Sequence, residues 1–256
     1  MAKGPGPGKC VHCLSDTVER NWDHVFPKSW YPEVTAKDLA KWQVPSCIPC
    51  NTKYGKIESD FLSRVGLALE PEHPASRSVV RTAMRSMRPT AGRDERDKTL
   101  RHARGKKLLA ETLKGAQIPK DATIPGMGER WGRPIEEQVA VLLPAQSLRL
   151  MTEKIVRGIF CVQDGVFIES PYKIDFYVLP DDAAAEWSVI LDKFGRVYSR
   201  PPGLVVRRAI EAEDQRSSLF EILFWQQFKT YATVTITGKR KAKTKRLEPS
   251  SLSRRG

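Results

Sequence analysis

The sequence predicts an α+β protein with a small metal-stapled module near its start, a basic helical segment in the middle, and an α+β domain with an antiparallel sheet towards its end. Two Cys-x-x-Cys pairs lie in the first 50 residues, and apolar residues at helical spacing later give way to β-prone runs. Lys and Arg number 43 against 30 Asp and Glu, which gives a formal net charge of +13. For 256 residues, two folded domains are the expected number.

The two cysteine pairs predict a structural Zn²⁺ site. Cys10 and Cys13 form one pair, and Cys47 and Cys50 form the other. Four thiolates complete a tetrahedral shell that leaves no position for water, so we expect no chemistry at this ion. Apolar residues are sparse in this part of the chain, and zinc must therefore supply much of its stability. His12 is expected to be an exposed loop residue, with a substitute zinc ligand as the alternative.

Charge and hydropathy limit the partners and the location. A net charge of +13 with pI ≈ 9.6 favours a polyanionic partner, usually nucleic acid, although charge that serves solubility alone is the alternative. We find no apolar run of signal-peptide or membrane-spanning length, so we expect a cytoplasmic protein with no membrane partner. In a reducing compartment the paired cysteines are better metal ligands than disulfide partners.

A candidate catalytic site lies between and beside the cysteine pairs, at Asp23, His24 and Asn51. Hydrolysis of a phosphodiester needs a base that activates water and a cation that stabilises the phosphate charge. His24 could be the base, and carboxylate and amide oxygens such as those of Asp23 and Asn51 are the ligands that Mg²⁺ prefers. Neighbouring residues of a regular strand face opposite ways, so Asp23 and His24 can serve one phosphate only if the strand ends or distorts there.

This arrangement resembles the HNH, or ββα-metal, endonuclease family of the four-cysteine zinc-hook type. The resemblance covers about the first quarter of the chain and is carried by Cys10, Cys13, Asp23, His24, Val25, Pro27, Cys47, Cys50, Asn51 and Lys53. In the zinc-hooked Holliday-junction resolvases of phage and in the HNH domain of the CRISPR effector nuclease, the matching Asp and Asn bind the catalytic metal and the matching His is the base. The resemblance therefore implies Asp23 and Asn51 as ligands of Mg²⁺ or Mn²⁺, and His24 as the general base.

Two departures from the family pattern concern the support of the base. The middle Asn of the family is replaced by Trp42 or Gln43, and no final His follows Asn51 at the usual helical spacing. Because the middle residue generally orients the base, the residue that supports His24 is not identified by the resemblance. Lys53, Lys56 and Glu58 are candidates for auxiliary roles, but we interpret Lys56 and Glu58 as the solvated face of a helix over residues 51–69.

We divide the chain into four segments. Residues 1–70 are the nuclease module, 71–132 a basic helical segment with a linker, 133–237 an α+β domain of undisclosed function, and 238–256 a basic disordered tail. In the C-terminal domain, helices are expected over 145–160 and 182–194, with strands within 167–178, 203–210, 219–228 and 229–237.

The basic helical segment carries a candidate nucleic-acid interface. Four arginines recur at nearly one helical turn, namely Arg77, Arg81, Arg85 and Arg88. Such a stripe can lie along a phosphate backbone, and a solvated helix face is the alternative. Lys28 and Lys53, close to the candidate catalytic residues, are the other expected contacts.

The function expected from these observations is a metal-dependent endonuclease that hydrolyses DNA, with double-stranded or branched DNA as the partner and restriction or phage defence as candidate roles. Two alternatives stay open. One is a zinc-stapled nucleic-acid-binding protein with weak or no catalysis, and the other is an RNA-cleaving toxin that uses the same residues.

Overall fold

A computed structural model describes residues 4–119 and 134–238. Its N-terminal part is a hairpin followed by a helix: β1 (Arg20–His24) pairs antiparallel with β2 (Gln43–Cys47), and α1 (Ile48–Leu67) follows directly. Pro49 lies in the first turn of α1, where the missing N–H costs no hydrogen bond. The helix expected over 51–69 is therefore present, and it begins three residues earlier.

The basic segment forms two helices, α2 (Arg77–Arg85) and α3 (Glu95–Ala110), joined by a short turn. The expectation that Arg88 continues the stripe of α2 is wrong. Arg88 is extended, with φ −88° and ψ 114°, because the ring of Pro89 disfavours helical backbone at the preceding residue. Two short strands, β3 (Thr112–Lys114) and β4 (Val139–Val141), pair with each other after α3.

The antiparallel sheet expected in the C-terminal part is confirmed. Its five strands have the order β5-β9-β8-β7-β6. They span β5 (Tyr172–Tyr177), β6 (Gly195–Arg200), β7 (Leu204–Ile210), β8 (Ser218–Phe224) and β9 (Phe228–Ile236). The helices are α4 (Ala145–Ile159) and α5 (Asp181–Phe194), both close to the predicted ranges. Strand β6 was not predicted, since its sequence is short and rich in arginine.

One hydrophobic core joins the N-terminal hairpin and α1 to the C-terminal sheet. The rings of Trp30 and Phe61 stack at 5.0 Å, and both contact Phe224 and Trp225. The indole N–H of Trp225 donates to the carbonyl of Trp30 at 2.7 Å. The division into residues 1–70 and 133–237 stays a prediction, but these two segments do not have separate cores.

Helix α4 lies against the N-terminal hairpin as well as against the sheet. Gly158 permits the close approach, because a Cβ at this position would lie 2.8 Å from the side chain of Val25. The Thr152 hydroxyl donates to the Thr230 hydroxyl on β9 at 3.1 Å, on the sheet side of the helix. This placement brings α4 next to the candidate catalytic residues.

The predicted tail after Gly238 and most of the predicted linker lie outside the described residues. Among the helices of residues 4–119 and 134–238, none is long and apolar enough to cross a membrane.

Candidate functional site

The four cysteines of the two pairs form one cluster, in agreement with the sequence. Their Sγ atoms all lie within 4.8 Å of one another, and those of Cys13 and Cys47 are 3.8 Å apart. Zinc–sulfur bonds of ~2.3 Å in a tetrahedron place the sulfurs about 3.8 Å apart, so the cluster fits a four-thiolate zinc ion. Among the described residues, this is the one group of His, Cys, Asp and Glu side chains with the geometry of a metal site.

Backbone hydrogen bonds hold the two cysteine pairs together. The N–H of Leu14 donates to the carbonyl of Cys10 at 3.0 Å, which closes the turn of the first pair. The N–H of Cys47 donates to Sγ of Cys10 at 3.2 Å and so joins the second pair to the first. The Ser15 hydroxyl lowers the pKa of the Cys13 thiol to about 6, whereas burial raises the pKa of Cys47.

His12 is not the exposed loop residue that the sequence suggested. It is 8% exposed, and its ring packs on Tyr54 with centroids 4.4 Å apart. Burial lowers the pKa of His12, so the ring is neutral at pH 7 and its Nε2–H donates to Oδ2 of Asp23 at 2.9 Å. The turn between Cys10 and Cys13 therefore also holds the candidate catalytic carboxylate.

Asp23 lies in a buried pocket whose other charged members are Lys154 of α4 and Glu58 of α1. Nζ of Lys154 donates to Oδ1 of Asp23 at 3.0 Å, to the backbone carbonyl of His24 at 2.7 Å, and to Oε1 of Glu58. The side chain of Lys154 is 1% exposed and that of Asp23 is 5% exposed. We call this cluster of Asp23, Glu58, Lys154 and the His24 carbonyl the lysine pocket.

The ionisation of the two carboxyl groups follows from this packing. Burial opposes the charge of Asp23, but the hydrogen bond from His12 and the charge of Lys154 outweigh it and hold the pKa of Asp23 below its usual value. Burial raises the pKa of Glu58, against the opposing charge of Lys154. The interpretation of Glu58 as part of a solvated helix face is therefore wrong, whereas Lys56 is exposed as expected.

Asp23, as it is placed, does not fit the Mg²⁺ or Mn²⁺ site that the resemblance implies. Both oxygens of Asp23 accept hydrogen bonds from buried partners, one of them a cation. Nδ2 of Asn51 donates to Oδ1 of Asn21 at 2.7 Å. Asn21 lies on the same face of β1 as Asp23, two residues earlier in the strand. A divalent ion on Asp23 would meet the ammonium group of Lys154.

His24 lies at the last position of β1, on the opposite face from Asp23. Both residues keep regular ladder partners, with Asp23 opposite Val44 and His24 opposite Gln43, so their side chains point to different faces of the hairpin. Burial and, next, the charge of Lys28 lower the pKa of His24. Its ring is half-buried, and its Nε2 lies 3.3 Å from Nε2 of Gln43. His24 is thus neutral and partly accessible at pH 7.

The candidate nucleic-acid contacts divide into paired and unpaired residues. Arg77 forms an ion pair with Glu72, and Arg81 forms one with Glu33. The other four, Lys28, Lys53, Arg85 and Arg88, are exposed, and no ion pair of theirs occurs within residues 4–119 and 134–238.

Sequence reasoning missed Lys154, and it identified Gln43 only as a substitution. Lys154 lies in the predicted apolar stripe of α4, between Met151 and Ile155, and a cation in such a stripe indicates a buried partner. Nothing in the sequence indicates that this partner is Asp23, which is 131 residues away.

Comparison of the chain with protein-family models, with curated proteins and with solved structures found no match. The HNH resemblance consequently depends on the residues and geometry described above.

Proposed function

We propose that this protein is an endonuclease of the HNH type that hydrolyses phosphodiester bonds in DNA, with His24 as general base. The observation that carries the proposal is the environment of His24. It lies at the end of β1 in a hairpin–helix unit held by four cysteines, half-exposed, with a lowered pKa and a side-chain amide beside one ring nitrogen. A neutral, accessible imidazole can take a proton from water.

Gln43 supplies the support that the family assigns to its middle Asn. A half-turn of the Gln43 amide exchanges its oxygen and nitrogen in nearly the same space, so either atom can face Nε2 of His24. If Oε1 of Gln43 accepts from Nε2–H of His24, Nδ1 keeps its lone pair and can act as the base. The opposite orientation requires the proton on Nδ1 and blocks that nitrogen. Gln43 therefore acts as a positioning residue that selects the tautomer.

The charge distribution supports a nucleic-acid substrate. The chain carries a formal net charge of +13, and Lys28 and Lys53 are exposed on the segments that border His24 and Asn51. Arg85 and Arg88 add two exposed cations at the end of α2 and beyond it. Trp22, which shares the face of His24 on β1, is 39% exposed and gives a nucleobase a ring to stack on.

A requirement for Mg²⁺ or Mn²⁺ is part of the proposal, because a Lewis acid stabilises the charge that develops on the phosphate and the leaving oxygen. We assign no ligand pair to this ion, since the oxygens of Asp23 are engaged by His12 and Lys154. The chain itself provides the base, His24, and the exposed cations that hold the substrate. Gln43 selects the tautomer of His24.

A second candidate function is nucleic-acid binding with weak or no catalysis. The closed lysine pocket favours it, because the carboxylate that the family uses for metal is withdrawn from solvent. The two functions differ in a simple measurement. A binding protein retains DNA in a salt-sensitive way but gives no products that depend on a divalent ion and disappear with EDTA.

The test is a panel of single-stranded, duplex and branched DNA and of RNA, incubated with the zinc-loaded protein in Mg²⁺ or Mn²⁺. His24→Ala should abolish cleavage while zinc content and circular dichroism stay unchanged. His102→Ala is the matched control, because His102 is an exposed histidine on α3, outside the site. Undiminished cleavage by His24→Ala would contradict the assignment of the base, and cleavage of RNA alone would favour the RNA-cleaving toxin.

A further inference from the structure

We propose that the ammonium group of Lys154, rather than a divalent metal, is the cation that Asp23 holds in this protein. The lysine pocket offers three oxygen acceptors: one each from Asp23 and Glu58, and the backbone carbonyl of His24. Such a set of hard oxygen atoms is suited to a cation, and Nζ of Lys154 lies among all three. An ammonium group has three N–H donors, so this coordination uses every one of them.

The position of Lys154 is fixed by elements on both sides. Helix α4 approaches Val25, the residue after His24, through Gly158, and it is joined to β9 by the contact between Thr152 and Thr230. The side chain of Lys154 is 1% exposed, so its ammonium group lies in the protein interior and is held by protein oxygens rather than by water.

Lys154 and a divalent ion cannot occupy the lysine pocket at the same time, because their positive charges repel each other. The described charges of the pocket are one ammonium against the two carboxyl groups of Asp23 and Glu58, and Nε2 of His12 contacts the other oxygen of Asp23 at 2.9 Å. A doubly charged ion at hydrogen-bond distance from Asp23 would repel the ammonium strongly in so buried a place. Two carboxyl groups without Lys154, in contrast, would leave an uncompensated negative charge that attracts such an ion.

This inference concerns the site of the proposed function but does not depend on cleavage. Asp23 is then a positioning residue: it fixes the ammonium group that holds the His24 carbonyl, and any divalent ion that cleavage needs binds elsewhere. The C-terminal part of the chain thereby contributes a residue to the N-terminal hairpin.

Mn²⁺ binding to the zinc-loaded full chain, followed by electron paramagnetic resonance, tests the exclusion. Wild type and Asp23→Asn should have the same dissociation constant for Mn²⁺. Lys154→Met should bind Mn²⁺ about tenfold more tightly or better, because a cation is removed from beside two carboxyl groups. The double variant with Asp23→Asn should lose that gain.

Two results would overturn the proposal. One is a loss of Mn²⁺ binding in Asp23→Asn with zinc content intact, and the other is unchanged Mn²⁺ affinity in a folded Lys154→Met. If Lys154→Met does not fold, the comparison of wild type with Asp23→Asn decides alone, because it leaves Lys154 and Glu58 paired. Plasmid cleavage by the same preparations is read separately, so an inactive wild type would refute the nuclease while the Mn²⁺ titration still decides which cation Asp23 holds.

Discussion

Two clusters, each suited to a cation, hold the N-terminal hairpin and α1 together, and they are built in opposite ways. The four-cysteine cluster takes its members from two short motifs of the same small unit. The lysine pocket takes its carboxylates from the hairpin and α1, but its cation comes from α4, 131 residues away from Asp23. The first cluster joins segments within this unit, whereas the second ties the hairpin to the rest of the protein.

The largest effect is expected from loss of the first cluster. Removal of zinc by a chelator, or Cys47→Ser, should unfold the hairpin, since structural zinc contributes on the order of 10 kcal/mol in small domains. Circular dichroism and zinc analysis measure the loss. Cys161→Ser is the control, because Cys161 lies outside the cluster. A hairpin that stays folded without zinc would show that the shared aromatic core, and not the metal, holds it.

The next largest effect is expected from the lysine pocket. Lys154→Met should lower the free energy of unfolding by about 3–5 kcal/mol, because it leaves buried carboxylates without their cation. Chemical denaturation measures it. Lys173→Met is the control: it breaks the half-exposed pair with Asp175 and should have no measurable effect. Equal stability of the two variants would mean that the pocket opens to water and that the two clusters differ less than the structure indicates.

A smaller effect is expected at the residue that joins the two clusters. His12 lies between Cys10 and Cys13 of the cysteine cluster and donates to Asp23. His12→Phe keeps the ring packing on Tyr54 but removes a hydrogen bond to a buried carboxylate, so we expect a loss of about 1.5–3 kcal/mol without loss of zinc. In a double-mutant cycle, His12→Phe and Lys154→Met should not be additive, because both side chains act on Asp23. Additive losses would show that the two clusters are independent.

The same contrast explains how much of the structure the sequence predicted. The cysteine cluster, α1, α4, α5 and the antiparallel sheet follow from local spacing and periodicity, which depend on residues close in the chain. The burial of His12 and Glu58 could not be predicted, because it depends on Lys154 and on a core shared with the C-terminal sheet. The local pattern at Arg88 failed for the opposite reason, since Pro89 overrides the helical spacing of the arginines.

The smallest effect on stability, together with a larger effect on activity, is expected at Gln43, which lies opposite His24 in the hairpin. Gln43→Leu removes an amide from an exposed position beside His24, so the free energy of unfolding should change by no more than about 0.5 kcal/mol. Cleavage should fall about 10- to 100-fold, because the imidazole loses the group that selects its tautomer and orientation. Gln43→Asn keeps an amide with a shorter reach and should retain more activity than Gln43→Leu. Initial rates on a supercoiled plasmid, set beside denaturation curves, measure both quantities. A different outcome would assign the support of His24 to the lysine pocket. In that case Gln43→Leu would cleave like wild type, while Lys154→Met would abolish cleavage in a folded protein. Lys154, which donates to the backbone carbonyl of His24, would then position the base instead of Gln43.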